Sequence, residues 1–127
     1  MRVADSLAEN ESYFYAEVKR LKQITDELKS DHCLVLLDEI LRGTNSDDKR
    51  NGTLEVIRRM VRENAYGMIA THDLEICKET SRHPEVLSNK CFEVEIKNNE
   101  LHFDYKLRDG ICVNQSATFL MKKTGII

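Results

Sequence analysis

An α/β fold is predicted, and three observations predict it. "HCLVLLDEI" (residues 32–40) and "AYGMIATHD" (residues 65–73) are short, almost continuously apolar runs, the pattern of parallel strands buried on both faces. Between them lies "TLEVIRRMVREN", whose apolar residues recur at helical spacing, so the three segments read as a strand–helix–strand crossover. From residue 91 the period changes to two, which marks an antiparallel hairpin after the crossover.

Taken in chain order, the first element is a helix. "SYFYAEVKRLKQITDELKS" places Phe14, Val18, Leu21, Ile24 and Leu28 on one stripe, with Asn10 or Ser12 available to cap its start. The first apolar strand follows. "RGTNSDDKRNG" is a loop by composition, and the second helix then aligns Leu54, Ile57, Met60 and Val61. After the second strand, "DLEICKETSR" reads as a short helix, and Pro84 breaks any continuation. In "CFEVEIKNNELHFDYKL", Phe92, Val94 and Ile96 alternate on one arm and Leu101, Phe103, Tyr105 and Leu107 on the other. "KNNE" turns between them, and one face is expected to be buried. "RDG" ends the hairpin. "NQSATFLMKKTG" is the closing helix, with Asn114 as its cap and Gly125 as its stop.

The chain of 127 residues is the size of one domain or a piece of one. It has no run of about 18 apolar residues and no secretory leader pattern, so no membrane span is expected and cytoplasmic residence is the default. Nineteen Lys and Arg stand against 22 Asp and Glu, a net charge of −3. The basic residues are scattered among acids, as in "EVIRRMVREN", rather than gathered into the stripe a nucleic-acid surface needs. The four cysteines, Cys33, Cys77, Cys91 and Cys112, form no C-x-x-C pair and read as buried reduced thiols. His72 and Cys77 are five residues apart, a poor spacing for two metal ligands on one helix face.

Ligands of open α/β sheets bind outside the carboxyl ends of the strands. The first strand ends in Asp38-Glu39 and the second in Thr71-His72, so parallel pairing brings these residues to one rim. That set suits phosphate chemistry. An Asp supplies a hard oxygen for Mg²⁺, a neighbouring Glu polarises a water, and a histidine hydrogen-bonds a terminal phosphate. Either pair alone is weak, since strands often end in polar residues. Gly43, in the loop "RGTN", allows a tight turn near a ligand or partner.

"LVLLDEILRGTN" followed by "GMIATHDLE" resembles the C-terminal ATPase domain of the MutS DNA mismatch-repair family, an ABC-class P-loop ATPase. "MRVADSLAENESYFYAEV" is similar to the segment leading into that family's signature helix, and "DGICVNQSATFLMKKTGI" to its closing helix. The resemblance covers nearly all of residues 1–127. It implies a partial P-loop NTPase sheet with flanking helices, followed by the hairpin and the closing helix. By position it implies Asp38 as the Walker B aspartate organising Mg²⁺, Glu39 as the general base and His72 as the switch histidine. Arg42, Gly43, Thr44 and Asn45 fall in the D-loop region that faces a second subunit. Ser12 matches the signature serine, which reaches the γ-phosphate held by the opposite subunit; a helix N-terminus there would be a ready anion site. "ENE" precedes Ser12 where the family places Gly and Arg, and Tyr13 replaces a small hydroxyl residue.

No G-x-x-x-x-G-K-[ST] phosphate loop occurs in the chain. The resemblance is therefore to the distal half of the ATPase domain, expected to belong to a longer protein in which upstream domains contact DNA. The expected cofactors are ATP and Mg²⁺, and the expected partner is a second copy of the domain. The chain by itself is expected to be inactive as an ATPase. Two other readings are a different DNA-repair ATPase of the ABC class, and a non-catalytic ATPase remnant used for dimerisation or partner binding.

Overall fold

The computed structural model describes residues 7–29, 33–113 and 116–127. The elements are α1 (Leu7–Glu27), β1 (Leu34–Asp38), α2 (Ser46–Arg62), β2 (Tyr66–Ala70), α3 (Leu74–Cys77), a 3₁₀ turn (Lys78–Ser81), β3 (Lys90–Lys97), β4 (Glu100–Asp109) and α4 (Ser116–Lys123). They fall into two compact units, Met1–Glu79 and Thr80–Ile127. The class is mixed α/β, with a small parallel sheet in the first unit and an antiparallel hairpin in the second.

In the first unit β1 and β2 pair in parallel, Leu34 opposite Tyr66 and Asp38 opposite Ala70. Side chains alternate across a strand. Val35 and Leu37 therefore point to a core with Leu21, Leu28, Ile40, Leu41 and Met60, against which Phe14, Ile24, Val56 and Ile69 pack. The first helical stripe read in the sequence supplies Leu21 and Leu28 to this core, with Phe14 and Ile24 against it, although Val18 is 39% exposed; of the second stripe only Met60 joins it. Gly67 allows close packing here, since a Cβ on it would lie 2.5 Å from the Val35 carbonyl oxygen and 2.6 Å from Met60 Cε.

The expectation of strands buried on both faces is not met. Leu34, Leu36, Tyr66 and Met68, the residues of the opposite face, are all exposed by 63% or more. A two-sided apolar pattern requires two covering layers. Among the described residues, α1 and α2 pack with the Val35–Leu37 side, and no element closes the other. No helix among the described residues is long and apolar enough to cross a membrane.

α1 also departs from expectation. It is already helical at Leu7, so Asn10 and Ser12 lie inside it rather than at its cap. The segment 74–81, which the sequence indicates as one short helix, winds as α3 and then tightens into the 3₁₀ turn. The Glu79 carboxylate at that turn is almost fully buried and receives a two-pronged contact from Arg58 of α2, at 2.8 and 3.2 Å.

In the second unit the hairpin turns at Asn98-Asn99, both left-handed (φ 50° and 59°), the geometry of a tight two-residue turn. The register breaks once. Phe92 pairs with Leu107 and Val94 with Phe103, so β4 carries two extra residues there, and Tyr105 takes φ 55°. Phe103 and Tyr105 stack with ring centroids 6.1 Å apart. The face expected to be buried is open: Phe92, Ile96, Phe103, Tyr105 and Leu107 are exposed. A hairpin offers one apolar face, and only a second layer can bury it. Gly110 (φ 112°) ends β4 and Gly125 (φ 77°) follows α4, as the sequence indicates. The capping role read for Asn114 lies outside the described residues. The four cysteines are free thiols and only half-buried.

Candidate functional site

The carboxyl ends of β1 and β2 form the candidate site. β1 stops at Asp38, and the Glu39 amide still donates to the Ala70 carbonyl at 3.0 Å, carrying the parallel ladder one residue further. The chain then turns sharply, with Glu39 at φ 45° and Leu41 at φ 60°. Non-glycine residues rarely occupy this left-handed region, and they persist there only when their surroundings hold them. Here the Leu41 amide donates to Glu17 Oε1 of α1 at 2.6 Å, the Leu41 side chain is buried, and Arg42 Nε donates to the Glu39 carbonyl at 3.0 Å.

The turn aims the two acidic side chains differently. Asp38 is exposed, and among the described residues no side chain donates to its carboxylate. Glu39 is drawn inward, its side chain only 14% exposed. Its Oε1 accepts the His72 backbone N–H at 2.6 Å, and its Oε2 accepts Lys49 Nζ of α2 at 2.6 Å. Glu39 therefore bridges the two strand ends. The Lys49 ammonium holds its carboxyl below the usual carboxylate range; the His72 amide adds to this and burial opposes it. The His72 side chain is exposed.

The loop residues have local roles. The Asn45 side chain caps α2 by accepting the Asp48 N–H at 2.9 Å, and its amide donates to Asp48 Oδ2, also at 2.9 Å. The Thr44 hydroxyl donates to the same oxygen at 3.4 Å. Gly43 is not in the left-handed region, so a tight turn is not what requires glycine here. A Cβ at Gly43 would meet Phe14 Cβ of α1 at 2.9 Å, so close packing requires it. Ser12 is the sixth residue of α1. Its amide is already within the helix, so the anion site expected at a helix start is not at Ser12.

Arg50, next to Lys49, grips Asp73 just beyond β2 at 2.7 and 3.1 Å, while Asp73 caps α3. The Arg50 guanidinium holds the Asp73 carboxyl below its ordinary value of 3.8. A depressed carboxyl contributes stability that is full above the unfolded value and is lost as the pH falls through the lower folded value. Asp73→Asn is therefore expected to lower the urea midpoint at pH 7, and the gap from wild type should narrow well below pH 3.8. An equal gap at every pH would contradict this.

Lys49, Arg50 and Glu17 were not evident as site residues in the sequence. The available signal was two cations in the first turns of a helix, where the helix dipole favours acids. Such cations need acidic partners, but nothing local says which.

The geometry fits Mg²⁺ held through few protein ligands. Mg²⁺ commonly takes one or two carboxylates and completes its shell with water and substrate phosphates. Asp38 offers one such oxygen at the rim. Among the described residues, no group of three or more His, Cys, Asp or Glu forms a ready metal site.

Comparison with known proteins gives a consistent picture. Residues 1–125 match the family described as MutS domain V. The chain is 32% identical over 113 residues to human MutS protein homolog 4, covering 84% of this chain and 12% of that protein. It is 29% identical over 127 residues to the DNA mismatch repair protein MutS of Thermotoga petrophila, covering 99% of this chain and 16% of that protein. A shorter stretch, 67 residues, is 33% identical to endonuclease MutS2 of Thermus thermophilus, covering 53% of this chain and 9% of that protein. The chain thus spans less than a fifth of the length of these relatives.

Proposed function

Because the chain belongs to the MutS family through domain V, we propose that it is the distal part of an ATPase domain in a MutS-like DNA mismatch-repair protein. In the intact protein, ATP binding and hydrolysis would be coupled to the handling of mismatched or structured DNA through other domains. The observation that carries this reading is the rim, where Glu39 reaches from the end of β1 to the backbone N–H of His72 at the end of β2.

The geometry supports the following roles. Asp38, exposed beside the strand end, would supply a carboxylate oxygen to Mg²⁺, which when bound neutralises phosphate charge. Glu39, ionised and half-enclosed, would accept the proton of the attacking water. The exposed His72 imidazole would hydrogen-bond the terminal phosphate. Arg42, Gly43, Thr44 and Asn45 would lie toward a second copy of the domain, with the exposed Ser12 hydroxyl contributing to that copy's nucleotide. That contact would rest on the hydroxyl itself, without help from a helix start.

The test is ATP affinity, measured with and without Mg²⁺ in the intact protein, for wild type and Asp38→Asn. The amide keeps the size and loses the charge, so Mg²⁺-dependent affinity should fall while Mg²⁺-free affinity changes little. Equal affinities in all four measurements would remove Asp38 from the metal site. Failure of the wild-type intact protein to bind ATP would end the reading altogether.

A further inference from the structure

Both oxygens of the Glu39 carboxylate are engaged, and by different elements. The His72 amide at the end of β2 holds Oε1, and Lys49 from α2 holds Oε2. The Lys49 backbone is itself anchored: its N–H donates to the Asn45 carbonyl at 2.9 Å, and its carbonyl accepts the Thr53 hydroxyl at 2.7 Å. The Lys49 side chain is only 30% exposed, unlike a lysine extended into water. Its neighbour Arg50 grips Asp73, so the start of α2 holds the rim at two successive residues.

We propose that Lys49 is a positioning residue for the hydrolysis assigned to this rim, its ammonium fixing the Glu39 carboxylate across the ends of β1 and β2. The proposal rests on Glu39 being the base. A carboxylate held through one oxygen can still turn about its Cγ–Cδ bond. Held through both, it presents its remaining lone pairs in one orientation. Charge-assisted contacts are the stronger kind of hydrogen bond, and a base is effective only when it stays within hydrogen-bond reach of its water. Releasing Lys49 would also free Oε1 to leave the His72 amide. Lys49 therefore couples the base to the segment carrying the switch histidine.

The first measurement is amide hydrogen exchange at His72 in the 127-residue chain without nucleotide. Lys49→Met, which keeps helix propensity and most of the stem, should lower His72 protection by about tenfold, the factor worth about 1.4 kcal/mol. Lys49→Arg should retain protection within about twofold, since its cation still reaches the carboxylate. The second measurement is ATP hydrolysis in the intact protein. Lys49→Met should lower kcat by about tenfold with KM within about twofold, and Lys49→Arg should restore most of the rate, as expected for a lost orientation. Unchanged His72 protection in Lys49→Met would overturn the proposal. So would unchanged or faster hydrolysis in Lys49→Met where Glu39→Gln still abolishes it. Unchanged hydrolysis in Glu39→Gln would instead overturn the base assignment, and this proposal with it.

Discussion

Replacing Glu39 with Gln is expected to lower single-turnover ATP hydrolysis in the intact protein by a factor of about 10² to 10⁴, the usual range for a lost general base. ATP affinity should change little. The amide matches the carboxylate in size, and its carbonyl oxygen can still accept the His72 N–H now held at 2.6 Å. With that oxygen so used, its NH2 group faces the Lys49 ammonium, donor against donor, and the contact now made through Oε2 is lost. The lysine beside Glu39 lowers the pKa of its carboxyl and so makes it a weaker base. The lower end of the range is therefore the better expectation. A variant that hydrolyses ATP at nearly the wild-type rate would remove Glu39 as the base and leave an interaction module as the better account of this chain.

Leu37→Ala is expected to destabilise the first unit by about 2–5 kcal/mol, whereas Leu36→Ala should change stability by about 0.5 kcal/mol or less. The two leucines are adjacent on β1 and chemically identical. Leu37 is 7% exposed and packs in the core with Leu21, Leu28 and Met60, so truncation leaves a cavity. Leu36 is 63% exposed and loses little by truncation. Denaturant unfolding of the two variants measures the difference. Comparable destabilisation by both would mean that the open face of the sheet is covered in solution.

The contrast between those leucines also marks where sequence reading stopped. "LVLLD" and "YGMIA" show no alternation, and uninterrupted apolarity predicts cover on both faces. The strands and their parallel pairing followed from local pattern and the crossover rule. Which face receives helices depends on where distant segments pack, and that information is not local. The hairpin behaved similarly. Its arms and its Asn98-Asn99 turn were legible, because a two-residue left-handed turn selects Asn locally. The extra residues around Tyr105 were not, because strict alternation runs unbroken through a bulge that keeps the parity of side chains.

By itself the sequence determined the order of elements, the parallel strand pair and the meeting of Asp38, Glu39 and His72 at one rim. Each follows from short-range periodicity and a topological rule. It also carried the family relationship, in the residues running into and out of those strands. Only the tertiary structure decided that Glu39 turns inward while Asp38 stays exposed, that Gly43 serves packing against Phe14, and that Ser12 lies within α1. The Lys49–Glu39 contact belongs with these, between residues ten apart on different elements. A charged side chain finds its partner through the folded path of the backbone, and spacing along the chain does not encode that path.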